Sequence, residues 1–134
     1  MPDKDPNHWL YRLDAEEWLR AAEGELARAR VALVGKQHRA GVTQARRAAG
    51  MAWNAVLVMT ADESGYGRSY MDHLVALERD ETVPETVRLA ARALVEAPIV
   101  PSVVTIGKGS ASLADSAEVV LAAARERVSP TAAA

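Results

Sequence analysis

Residues 14–59 read DAEEWLRAAEGELARARVALVGKQHRAGVTQARRAAGMAWNAVLVM, and this stretch decides the fold. Trp18, Ala22, Leu26, Ala29 and Leu33 follow one another at steps of four, four, three and four, which places them on one face of a helix. Asp14 and Glu17 have the spacing of a capping box, so this helix is expected to start at Asp14. Gly35 closes it, and the turn Gly35-Lys36-Gln37-His38 is polar. A second helix is predicted from about Arg39 to Met59. Its stripe is Val42, Ala45, Ala49, Ala52, Val56 and Met59, with Trp53 beside it. Two long helices joined by so short a turn pack as an antiparallel hairpin.

Downstream, Asp62-Glu63-Ser64-Gly65-Tyr66-Gly67 is a loop of breakers. A third helix should begin near Ser69 and carry Leu74 and Leu77. Pro84 marks the first turn of a fourth, where a missing N–H costs nothing. Val87, Ala91, Leu94 and Val95 form its apolar face, and Pro98 ends it. Residues 97–111 read as a connection, with extended character at Val103-Val104-Thr105-Ile106 and the greatest mobility inside the domain. Helix five is expected to be capped by Ser112 and to run to about Val128 on Leu113, Ala117, Val120, Leu121 and Ala124. The expectation is an all-α bundle of four to five up-and-down helices over residues 14–128, after a polar N-terminal segment at 1–13 and before a disordered tail at 129–134.

At 134 residues this is one domain, able to bury its own core. The absence of cysteine excludes disulfides, thiol nucleophiles and thiolate metal sites, and suits a cytoplasmic location. A formal charge of −2 argues against coating nucleic acid by charge alone. No apolar run approaches the ~20 residues of a membrane span, and the polar, proline-bearing start is no signal peptide. None of His8, His38 and His73 stands in a Glu-x-x-His pair, so no metal and no cofactor is expected.

The order of these elements carries a resemblance. Trp18 to Met59 as a hairpin, Met71-Asp72-His73-Leu74 at a short helix, Val83-Pro84-Glu85 opening the fourth and Ser112 to Val128 as the last resemble the HEPN domains of bacteria and archaea. The resemblance implies a helical bundle that usually dimerises. Many HEPN domains are metal-independent endoribonucleases with an R-x(4–6)-H motif, and many stand beside a nucleotidyltransferase in toxin–antitoxin pairs. Others have lost the motif and serve as adaptors. Here Arg68-Ser69-Tyr70-Met71-Asp72-His73 satisfies R-x4-H, with Arg68 to steady phosphate charge and His73 to act as general acid or base. The later place where the family's motif falls, Leu94 to Val103, holds neither Arg nor His.

Three further features bear on function. No acidic residue occurs from Ala27 to Ala61, while Lys36, His38, Arg39, Arg46 and Arg47 cluster there as an anion- or nucleic-acid-binding candidate. Thr43, Arg47, Gly50 and Asn54 make a small, polar stripe on helix two, read as a solvent or partner face. Val103 to Ser110 has the outline of a strand and glycine loop, yet lacks both G-x-x-x-x-G-K-[ST] and G-x-G-x-x-G, so it reads as a plain connection. The first expectation is therefore an association or adaptor module that forms a homodimer and partners a nucleotidyltransferase or another protein. A ribonuclease toxin using Arg68 and His73 is the second. A nucleotide or small-anion binder using the basic turn is the third.

Overall fold

The computed structural model describes residues 12–60, 66–67, 69–98 and 108–129, with the side chains of the last helix described from Ser112 onward. Five helices make up the described chain: α1 (Ala15–Val34), α2 (His38–Thr60), α3 (Tyr70–Arg79), α4 (Glu85–Glu96) and α5 (Lys108–Val128). The described residues contain no strand. The all-α bundle is thus what forms. The arrangement predicted for Val103 to Ile106, and the mobility expected of 97–111, fall largely on residues 99–107, outside the described residues.

Local chemistry sets most helix ends. Asp14 accepts from the Glu17 amide at 2.8 Å while Glu17 accepts from the Asp14 amide at 3.0 Å, so the capping box closes in both directions. At the other end of α1, the Gln37 amide reaches the Ala32 carbonyl at 2.8 Å, and Lys36 takes a positive φ of 62° to turn the chain. Ser69 and Asp72 repeat the capping box at the start of α3. Asp80 stops that helix by accepting from both the Thr82 amide and the Thr82 hydroxyl. Pro84 occupies the cap position of α4 rather than its first turn, and its carbonyl accepts from Val87 and Arg88.

Helix five departs from expectation. It begins at Lys108, so Ser112 lies inside it and does not cap it. Gly109, Ser110 and Ser112 cost at most ~1 kcal/mol each in a helix, less than the packing of the Leu113, Ala117, Val120, Leu121 and Ala124 face returns.

Packing follows from residue size. Ala22, Ala29, Ala45, Ala49 and Ala52 are fully buried, so α1 and α2 lie side by side along small side chains. Gly41 carries this furthest: a Cβ there would stand 2.5 Å from the Leu33 side chain. α2 is the central helix, touched by all four others, and every residue from Ala52 to Val58 is buried. The stripe expected for α2 holds from Val42 to Val56, but Met59 projects into solvent, one residue before the helix ends. α3 and α4 form a second hairpin against α2, and α5 packs on α1, α2 and α4.

Candidate functional site

α3 is seated on α2 through a small residue and a buried polar pair. Gly50 leaves room for the Tyr70 ring, and one turn on, Asn54 meets His73. The stripe Thr43, Arg47, Gly50, Asn54 is therefore no free face along its length: Gly50 and Asn54 are covered by α3, while Thr43 and Arg47 stay exposed.

His73 lies in the first turn of α3, but it is not exposed there as a general acid or base would need to be. It is fully buried, with Nδ1 2.7 Å from the Tyr66 carbonyl and Nε2 2.7 Å from Asn54 Oδ1. The Tyr70 ring stands edge-on to it, centroids 6.3 Å apart. A general acid or base must reach its substrate directly or through one water, and an imidazole held by Tyr66 and Asn54 in the interior presents no edge to a ribose. Its position ties the start of α3 to α2. Arg68, the other half of the motif, lies outside the described residues.

The basic cluster divides in the same way. Arg46 turns inward and spends its guanidinium on the carbonyls that close α4: Nε donates to Leu94 at 2.8 Å, and one terminal nitrogen donates to Val95 at 3.2 Å and Ala97 at 2.7 Å. These are the carbonyls a helix end leaves without internal partners. Buried His38 adds a contact of 2.7 Å from Nε2 to the Pro98 carbonyl. Arg47 lies 3.4 Å from Glu25, a carboxylate buried on α1 that also draws Arg28 to 3.8 Å. Only Lys36 and Arg39 of the five stand exposed with no ion pair among the described residues. An unbroken run of like charge in sequence is thus mostly a set of interhelical ties.

One open cleft of about 430 Å³ lies where α3 meets the residues before it. Asp72, Arg79 and Asp80 form its polar wall, with Val75 and Ala76 beneath. Both carboxylates are occupied: Asp72 caps α3, and Asp80 takes the Tyr66 hydroxyl at 2.5 Å besides Thr82. Burial, then the bond to Asp80, hold the Tyr66 phenol well above the usual tyrosine range. Asp80 is held below the usual carboxylate range. Burial pushes it up, but the hydrogen bonds from Thr82 and Tyr66 outweigh that. Gly67, with φ of 69°, closes against Asp72 where a Cβ would stand 2.6 Å from the Asp72 side chain.

α1 has a second stripe that packing among the described residues does not use. Gly24, Ala27, Val31 and Val34 recur at steps of three, four and three on its outer face, and all are exposed. Val31 and Val34 are 74% and 85% exposed, the highest values among the exposed large apolar side chains. Among the described residues, a Cβ on Gly24 would meet nothing closer than the tip of Arg28 at 3.9 Å, so none of them requires glycine there.

Asn54 and Tyr66 are the partners that sequence reading missed. A single amide inside the apolar run Ala52–Val58 was the available sign for Asn54, since a buried amide needs a buried partner. Tyr66 acts through its backbone carbonyl, which no residue type announces. Among the described residues there is no group of three or more His, Asp or Glu side chains placed to hold a metal, and no helix is long and apolar enough to cross a membrane. No protein family, characterised protein or solved structure matches this chain at a significant level of similarity.

Proposed function

We propose that this chain is an association module that works through the outer face of α1, pairing with a second copy of itself. The observation that carries this reading is the stripe Gly24, Ala27, Val31, Val34. It keeps two β-branched side chains in water at the third and fourth positions of a seam with helical spacing. A helix packed on one side only has polar residues opposite. One with a second apolar seam has a second helix to meet. Glycine in mid-helix costs ~1 kcal/mol relative to alanine. Here it returns nothing among the described residues, but it lets an outside helix approach closely. The resemblance to HEPN domains supports the same reading, because such domains usually dimerise. The ribonuclease reading draws less support, since His73 is committed to Asn54 and Tyr66.

Sedimentation velocity from low to high micromolar concentration tests the proposal. Wild-type protein should shift toward twice its 14.4 kDa mass. Val31→Asp/Val34→Asp should remain monomeric with an unchanged helical circular dichroism signal, because neither side chain contributes to the core. A wild type that stays monomeric across the range, or a variant that dimerises equally well, would refute it.

A further inference from the structure

The outer stripe of α1 is ordered by size, and the charge beside it is ordered by sign. From the N-terminal to the C-terminal end it runs Gly24, Ala27, Val31, Val34: two small residues, then two large ones, all exposed. Steps of three, four and three are those of the seam positions of a helix pair. Exposed charge reverses along the same helix. From Asp14 to Gly24 it is Asp14, Glu16, Glu17 and Glu23 against the single Arg20. From Ala27 through the turn into α2 it is Arg28, Arg30, Lys36 and Arg39, and no acidic residue occurs there.

We infer that the second copy lies antiparallel to the first along this stripe, related to it by a two-fold axis at the level of Ala29. The inference rests on the self-pairing proposed above and adds its direction and register. In a two-fold pair every contact occurs twice. With the axis at that level, Gly24 of one copy faces Val34 of the other, and Ala27 faces Val31. Each layer then sets a small side chain against a large one. A parallel pair would set Val34 on Val34 and Gly24 on Gly24, crowding one end of the seam and leaving a gap at the other. Charge makes the same choice. Antiparallel copies bring Lys36 and Arg39, which form no ion pair among the described residues, toward the acidic half of the other copy. Parallel copies would lay acid beside acid and base beside base. Nearest the axis stand Arg28 and Arg30, and each has a carboxylate within its own copy. Glu25 lies 3.8 Å from Arg28, and Asp115 lies 3.3 Å from Arg30.

Electron–electron double resonance between nitroxide labels on Glu16→Cys tests the direction, since the chain has no cysteine of its own. At a rise of 1.5 Å per residue, antiparallel copies should hold the two labels about 40 Å apart. Parallel copies would bring them within about 20 Å, the interaxial distance plus the label arms. Mixing Gly24→Cys and Val34→Cys proteins under mild oxidation tests the register. The two variants should link to each other. Val34→Cys should link to itself far less, because its two thiols would lie about 15 Å apart along the seam. Both positions are exposed, and circular dichroism checks that each variant keeps its helices. A dimer whose labels lie within about 20 Å, or whose Gly24→Cys and Val34→Cys copies do not link, overturns the antiparallel arrangement and leaves self-pairing standing. A wild type that stays monomeric in sedimentation overturns both.

Discussion

The Tyr70 ring fills the space that a side chain on Gly50 would occupy: a Cβ built on Gly50 would lie 2.4–2.6 Å from the Cβ, Cγ and Cδ1 atoms of Tyr70. Those atoms sit near the backbone of α3, so they cannot swing clear as the tip of a long side chain would. Helix propensity alone favours alanine over glycine by ~1 kcal/mol. Forcing α3 away should cost more than that, and Gly50→Ala is expected to lower stability by a net ~1–2 kcal/mol. A urea midpoint equal to or above the wild type would refute this. Adding Tyr70→Ala should recover part of the loss, making the pair strongly non-additive.

Arg46 closes α4 with a planar fork, and a planar fork is what lysine lacks. Arg46→Met removes hydrogen bonds to Leu94, Val95 and Ala97 and should cost ~2–3 kcal/mol, because a charged donor is lost and buried carbonyls are stranded. Arg46→Lys keeps the charge yet cannot span three carbonyls, so it should recover less than half. Hydrogen exchange should show the gain in opening confined to the last turn of α4 and to the N-terminal half of α2. Equal stability of the lysine variant and the wild type would mean that charge alone suffices.

His73→Ala should be a stability variant first. It opens a cavity and strands the Tyr66 carbonyl and the Asn54 amide, together worth ~3–5 kcal/mol. Thermal denaturation should show a large drop in Tm. Any loss of RNA cleavage in this variant would then report on folding unless measured where the variant remains helical. A Tm unchanged from the wild type would show that the imidazole bears no structural load.

Asp80 and Tyr66 predict both limbs of the pH–stability profile. Asp80 titrates below its usual value, so its contribution is present above the unfolded carboxyl value of ~4 and is lost as pH falls through the lower folded value. Tyr66, and Tyr70 with it, titrate above the usual tyrosine value, mainly through burial. Their contribution is complete below ~10 and is lost as pH rises beyond it. Asp80→Asn should cost ~1–3 kcal/mol near neutrality and flatten the acid limb. Tyr66→Phe should flatten the alkaline one. Urea titrations across pH in which both limbs keep their wild-type slopes would contradict the pairing.

The sequence by itself determined everything that depends on near neighbours along the chain. The faces Trp18–Leu33 and Val42–Val56 could be read because a helix repeats every 3.6 residues whatever it packs on. The Asp14–Glu17 box could be read because its partners are three residues apart. The start of α5 misled, since Ser112 is a good cap but nothing between Lys108 and Ser112 stops a helix. Tertiary structure alone decided what each polar side chain does. Arg46 and His38 looked like part of a basic surface until the end of α4 was placed beside them. His73 looked like half of a catalytic pair until α2 brought Asn54 against it from 19 residues away. The order of charges along the chain is the same whether the side chains face water or carbonyls. Which of the two they face is settled by helices that meet only when the chain folds.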